Sequence, residues 1–425
     1  MSALESLHIK NGAAMGTRNG VSVPLNYNQP EAERVAMRKT ILLTDYSHLG
    51  MAEISGEGAY ELLNLMVAGD VGSIRDEQGM YTIILNNEGE IISDVYILCD
   101  DERFIVMSEW LTGDAISEMM KHLLEQHGSE FEEIGHIGSL GDSLGVLHFE
   151  GPYSWELLAE MYGMDVLGLP FQEHMHVGDD EILFRAGEHG EYSYKLIANN
   201  DRLEAIWEQA VQAGEKYDMA VGGLDYQRDV RLENPCWEPD VFNEFSRCPI
   251  QLQMQWTVRY DKDQFKGKDA LNSVLGRGVE RRAVGFSIEG AAPADVARGD
   301  KVYVGESEIG VVITCGYSKD IGATVGRLLL DAAYAYADLD QYEVQTCSGR
   351  LNLKTTAVPI YRNFSFLINP SEHSYVDSSR PKHLLEQLEW QAAAKAKAEK
   401  ELADKELADK ELAEAQQAEA QRVQA

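Results

Sequence analysis

The 425-residue sequence predicts an α+β protein. Three observations carry that prediction. Apolar runs of strand length alternate with helix-period segments from residue 41 to 280. From Arg282 onward the texture changes to short strands between turn residues, the pattern of a small β-barrel. The last stretch is low in complexity and highly charged. With 44% apolar residues the chain can bury a large core and fill two or three domains.

The elements follow in order. Residues 1–40 are polar, with Gly12, Gly16, Gly20 and Pro24, and read as an irregular lead-in. Residues 41–280 read as two α/β subdomains with a break near 145. Ala59 to Val67 is expected to be a helix with Tyr60, Leu63 and Val67 on one face. Ile83 to Leu85 is a strand, Asn87-Glu-Gly89 a turn, and Ile91 to Leu98 the return strand of a hairpin. Phe104 to Ser108 is a strand, and Asp114 to Gln126 an amphipathic helix. Then come strand Leu144 to Phe149, Gly151-Pro152, helix Trp155 to Met161, strand Ile182 to Arg185 and helix Arg202 to Ala213. Residues 281–365 supply the barrel, with strands Val284 to Ile288, Lys301 to Val304, Glu308 to Thr314, Tyr342 to Gln345 and Leu351 to Ala357. Residues 366–425 read as a linker and charged helical tail. There Glu401/Lys405 and Glu406/Lys410 are pairs in the favourable order, and the leucines, five residues apart, spiral around the helix instead of forming a stripe.

Composition excludes some partners. A net charge of −34 repels nucleic acid and anionic membranes. The five cysteines are scattered without a Cys-x-x-Cys pair, which fits a reducing, cytoplasmic setting and supports neither zinc nor redox chemistry. No secretory apolar region opens the sequence, and no run is long enough to span a bilayer. His174-x-His176, read as a loop, has no evident third ligand, so no metal is expected.

One residue stands out chemically. Asp94 is a carboxylate in an otherwise apolar strand, and a buried acid is costly without a partner or a function. An edge-strand aspartate facing water is an equal reading on pattern alone.

The segments Asp45-Tyr-Ser-His-Leu-Gly50 and Tyr81-Thr-Ile-Ile-Leu-Asn-Asn-Glu-Gly-Glu-Ile-Ile-Ser-Asp94 carry a resemblance. So do Arg185-Ala-Gly-Glu-His-Gly-Glu-Tyr-Ser-Tyr-Lys-Leu196, the run ending Arg231-Leu-Glu233, Pro249 to Trp256 and Phe265 to Leu271. Together they resemble the folate-binding aminomethyltransferase family, that of the glycine cleavage T-protein, over residues 40–362. The resemblance implies two α/β domains and a C-terminal β-barrel around a folate site. It implies Asp94 as the catalytic group, with Leu49, Tyr81, Asp94, Tyr96, Glu191, Arg231 and Trp256 as folate-binding residues. Glu191 is the candidate acceptor for the aminopyrimidine edge and Arg231 the candidate fork for a carbonyl or carboxylate, each with a plain salt-bridge or surface reading beside it. Trp256 reads either as a core tryptophan or as a flank for a planar ligand. The chain departs from the motif at Leu49, Ser93, Glu188 (for Tyr), His189 (for Thr), Lys195 (for Glu) and Asn234-Pro235. The implied activity is a one-carbon transfer to N5 of tetrahydrofolate, aminomethyl transfer first, from a lipoyl carrier or a small molecule. The alternatives are a tetrahydrofolate-dependent demethylase of a small methylated compound and a folate-binding regulatory protein without catalysis.

Overall fold

The computed structural model describes residues 2–128, 131–290, 292–401 and 405. It divides into two compact units, Met1–Ser365 and Phe366–Ala425.

The first unit is α+β, as the sequence predicts. Its five-stranded antiparallel sheet has the order Gln78–Leu85, Ile91–Asp100, Arg103–Ser108, Gly50–Ser55, His136–Ser139. Helices Ala59–Met66 and Gly113–His127 pack on one face of it through Leu62, Leu63, Ile116 and Met120. The buried stripe of the first helix is Ala59, Leu62, Leu63 and Met66, and Tyr60 points outward. The expected Tyr60/Leu63/Val67 face is therefore rotated: the sheet selects the most apolar face available, and Tyr60 can leave its hydroxyl in water.

The six-stranded sheet has the order His174–Gly178, Glu181–Phe184, Ser193–Asn199, Leu144–Glu150, Leu42–Asp45, Ala220–Gly222. Only its last pair is parallel. Leu42–Asp45 thus precedes the whole five-stranded sheet in sequence yet pairs with a strand that follows it. The lead-in is not irregular. It holds helix Glu5–Lys10, a hairpin of Ala14–Arg18 and Val21–Asn26, and helix Pro30–Lys39. Its glycines mark the hairpin turn and a helix end, where Gly20 and Gly12 take positive φ. Polarity concealed these short elements because most of their residues stay exposed or half-buried.

The barrel is closed by six strands in the order Arg281–Glu289, Ala323–Asp331, Ser307–Ser318, Lys301–Val304, Tyr342–Thr346, Gly349–Thr356. The sequence marked five. Ala323–Asp331 was missed because Gly326 and Arg327 interrupt its apolar run.

In the second unit residues 384–401 are helical. Its ion pairs Lys395–Glu399 and Lys397–Glu401, each 3.9 Å, place lysine first, the weaker order. The Glu406/Lys410 pair and the repeated leucines lie outside the described residues. Among the described residues no helix is long and apolar enough to cross a membrane.

Candidate functional site

The hairpin builds the site. Gly89 takes φ +75° in its turn, and the chain at Gly267, φ +85°, closes against it. A Cβ on Gly267 would stand 2.5 Å from the Asn86 carbonyl oxygen, so only glycine fits. The Phe265-Lys-Gly-Lys run is therefore a turn into helix Lys268–Arg277.

Across the hairpin Ile83 faces Asp94 and Tyr81 faces Tyr96. Tyr81 is thus diagonal to Asp94, a separation that long side chains bridge. Its hydroxyl donates to Asp94 Oδ2 at 2.5 Å. Asp94 is 9% exposed, so the edge-strand reading fails. Alternation puts Asp94 and Tyr96 on one face, and both line a cleft of about 30 Å³ with Leu49, Tyr81, Glu109, Glu188 and Lys195.

Two larger cavities adjoin it. One of about 600 Å³ is lined by Arg18, Glu109, Arg228, Arg231 and Cys236. Another of about 300 Å³ is lined by Tyr81, Cys236, Trp237, Trp256 and Arg327. Cys236 lines all three spaces and marks their junction. Both volumes suit small-molecule sites.

The three acids of the cleft differ in charge state. Burial pushes the Asp94 carboxyl up to about 7; the Tyr81 hydrogen bond opposes this, and Glu109 and Glu188 add to it. Burial also works to raise Glu109, but Arg231 and His48 outweigh it and hold that carboxyl well below the usual range. Arg231 Nη2 lies 2.6 Å from Glu109 Oε2. Glu188 is likewise lowered: burial opposes, and Lys195, His189 and His148 prevail. Burial pushes the Cys236 thiol well up, so it stays neutral. Two acids are fixed as anions by their own cations, and Asp94 is left as the group that exchanges a proton near neutrality.

The departures from the motif meet here. Lys195 stands where glutamate is usual, and its Nζ lies 3.0 and 3.4 Å from the two oxygens of Glu188, which stands where tyrosine is usual. The carboxylate is kept in the cleft but comes from another turn of chain. His189 is buried, with Nδ1 3.0 Å from Glu150 and Nε2 3.4 Å from Arg231 Nε.

The remaining sequence candidates divide. Arg231 lines the large cavity and is also braced by Glu238 at 3.3 Å. Trp256 is 68% exposed, not a core residue; it stacks on Tyr81 with centroids 5.6 Å apart and planes 17° apart. Glu191 lines none of the three spaces. Its carboxylate accepts from Arg38, 3.2 Å away, and from the backbone and hydroxyl of Ser365. In this structure those oxygens are engaged inside the protein, which favours the structural reading of Glu191 beside the proposed pterin contact. Arg38 also pairs with Glu233, so one buried cation from the lead-in holds both acids. Glu191→Gln is accordingly expected to cost about 1–3 kcal/mol of stability and leave tetrahydrofolate affinity unchanged. Denaturant melts and calorimetry on the same preparation check both halves.

Sequence reasoning missed Glu109, Glu188, Lys195, Cys236, Trp237, Arg38 and Arg327. Glu188 and Lys195 were flagged as departures but given no role, and the others carry no local signal. His174 and His176 lie on a strand, not a loop, and Asp100 stands 3.4 and 2.8 Å from their Nε2 atoms. That third ligand-type group comes from another sheet and could not be seen in spacing.

A cleft holding one titrating carboxylate among two ion pairs, adjoining two cavities of small-molecule size, is chemically able to move a proton at a bound substrate. Family membership agrees with it. The GCVT N-terminal domain family model matches residues 4–262, and the chain belongs to that family. Similar proteins are the aminomethyltransferase of Alkaliphilus oremlandii, 26% identical over 77% of this chain and 88% of that protein. The aminomethyltransferase of Thermotoga neapolitana is 26% identical over 84% and 96%, and that of Chlorobaculum tepidum 29% over 78% and 91%. The fold matches the crystal structure of glycine cleavage system aminomethyltransferase T from Bartonella henselae, with a TM-score of 0.71, 22% identity, and coverage of 85% of this chain and 98% of that one.

Proposed function

We propose that the protein is a tetrahydrofolate-dependent aminomethyltransferase that passes a one-carbon unit to N5 of tetrahydrofolate from a donor held on a lipoyl carrier. The observation that carries the reading is Asp94, buried in the cleft that adjoins the two cavities and bonded to Tyr81. The relatives' shared description supports the reaction class.

The residues suit the co-substrate. The cavities have the volume for a flat bicyclic ring with a tail, and the Tyr81–Trp256 stack offers aromatic faces at the cavity wall. Tetrahydrofolate, when bound, supplies the nucleophilic nitrogen. Asp94, as carboxylate, accepts the proton displaced from that nitrogen or offsets positive charge developing beside it. Tyr81 orients the acid and keeps part of its charge solvated by a hydrogen bond. Glu109 and Glu188, anionic but neutralised by Arg231 and Lys195, set the field without competing for the proton. Leu49, Tyr96 and Arg231 complete the proposed binding wall.

The test is release of ammonia from an aminomethylated lipoyl carrier by the purified protein. Release independent of tetrahydrofolate, or none with carrier and tetrahydrofolate both present, would remove the reading. The pH dependence adds a second check. Only the ionised form of Asp94 can act as base, and its carboxyl titrates near about 7. kcat/KM is therefore expected to fall as pH drops through that value, not through the ordinary carboxylate range. A profile flat between pH 6 and 8 would show that Asp94 does not titrate in the rate-limiting proton transfer.

A further inference from the structure

Among the described residues the Arg327 side chain has no polar partner. It lies on barrel strand Ala323–Asp331, opposite Gly285 on one neighbouring strand and Thr314 on the other, so no acid faces it across the sheet. It is 4% exposed. Among the described residues its side chain makes no ion pair and no hydrogen bond, and its Nε is a buried donor without an acceptor. The two other buried arginines near the site differ: Arg38 pairs with Glu191 and Glu233, and Arg231 with Glu109 and Glu238. Leu329, two residues on and on the same face, packs in the apolar cluster with Trp237, Phe242 and Leu252. A leucine or methionine would therefore suit position 327 better if only stability mattered, because an unpaired buried charge is a large desolvation cost. Burial pushes the guanidinium down to about 10, so it is still charged at neutral pH.

What Arg327 does have is the 300 Å³ cavity, whose wall it shares with Tyr81, Trp237 and Trp256. We infer that Arg327 is the docking point for a carboxylate on a ligand bound in that cavity. The guanidinium fork matches a carboxylate bidentately. Among the described residues no second cation lines the cavity, so a singly charged anion balances the site where a doubly charged phosphate would not. The aromatic wall suits a planar or apolar body behind the carboxylate, and Tyr81 links that wall to Asp94. Two ligands of the proposed reaction could bring this group: one of the two glutamate carboxylates of tetrahydrofolate, or a carboxylate on the one-carbon donor. In both cases the assignment rests on the reading of this cavity as the transferase site.

The test uses full-length protein, Arg327→Met and Arg327→Lys. Calorimetry compares tetrahydrofolate with 6-methyltetrahydropterin, which has the ring without the glutamate. Tryptophan quenching compares benzoate with uncharged benzamide. If the glutamate docks here, Arg327→Met weakens tetrahydrofolate by about ten- to a hundredfold and leaves the pterin unchanged. If the donor docks here, tetrahydrofolate is unaffected, and the wild type's preference for benzoate over benzamide disappears in Arg327→Met. Arg327→Lys keeps part of either effect. The melting temperature of ligand-free Arg327→Met should equal or exceed that of the wild type, since the variant removes an uncompensated charge. Unchanged affinity for both tetrahydrofolate and benzoate in Arg327→Met would overturn the inference, as would failure of both the Met and Lys variants to fold. A wild type that binds neither pteridine would remove the proposed function, while the benzoate comparison would still decide the carboxylate site.

Discussion

Asp94→Asn is expected to lower kcat by about 10²–10⁴-fold, the usual contribution of a positioned general base, with tetrahydrofolate affinity within about tenfold of wild type. The amide keeps the shape and can still accept the Tyr81 hydrogen bond. It cannot take a proton or carry negative charge. Because Glu109 and Glu188 are bound to Arg231 and Lys195, neither is free to substitute. The remaining activity should also lose the acidic limb of its pH profile, since the group that titrates near about 7 is gone. Single-turnover kinetics with saturating tetrahydrofolate separates the two quantities. Near wild-type turnover, or a collapse of binding with turnover of bound substrate intact, would mean that Asp94 shapes the site and does no chemistry.

Arg38→Met is expected to cost about 3–5 kcal/mol of folding stability, the range for breaking a buried ion pair by removing one partner. Arg38 is buried between Glu191 and Glu233 and rests on the Tyr361 ring, 4.4 Å from its centroid. It ties helix Pro30–Lys39 to the turn before Ser193–Asn199 and to the end of helix Tyr226–Glu233. Methionine fills most of the volume but leaves two acids without a counter-charge. The loss has a defined pH dependence. Burial already raises the carboxyls of Glu191 and Glu233, with Arg38 pulling them back. In the variant they rise further above their unfolded values. Folding then takes up protons, so the variant is most stable at low pH and loses stability as pH climbs through the raised values. Urea melts at several pH values check this. A loss that stays the same across pH would point to lost packing, not to the stranded acids.

The two predictions differ in how far the sequence alone could reach them. Asp94 was visible because its chemistry is local: one carboxylate in an apolar strand, followed in register by Tyr96 and reached by Tyr81 across a hairpin whose turn is written in Asn87-Glu-Gly89. Strand periodicity fixes which residues share a face, and the hairpin fixes which residues face each other. Arg38 was invisible for the opposite reason. It lies in a segment too polar to reveal its helix, and its two partners are 153 and 195 residues away.

The same distinction explains Glu191, Glu188 and Lys195. A motif position states that an acid stands beside a glycine turn, but not which way the turn directs it. Glu191 turned toward Arg38 and Ser365, and Glu188 toward Lys195 in the cleft, because buried charges settle where a counter-charge is already placed. By itself the sequence determined the α+β class, the hairpin and its acid, and a barrel beginning near Arg282, since periodicity and turn chemistry act over a few residues. Only the tertiary structure decided the sixth barrel strand, the pairing of Leu42–Asp45 with strands that follow the first sheet, and the exposed stack of Trp256 on Tyr81. It alone set the Arg327 side chain beside a cavity with no polar partner among the described residues. Those features depend on which distant surfaces meet, and burial and charge balance act only once they have met.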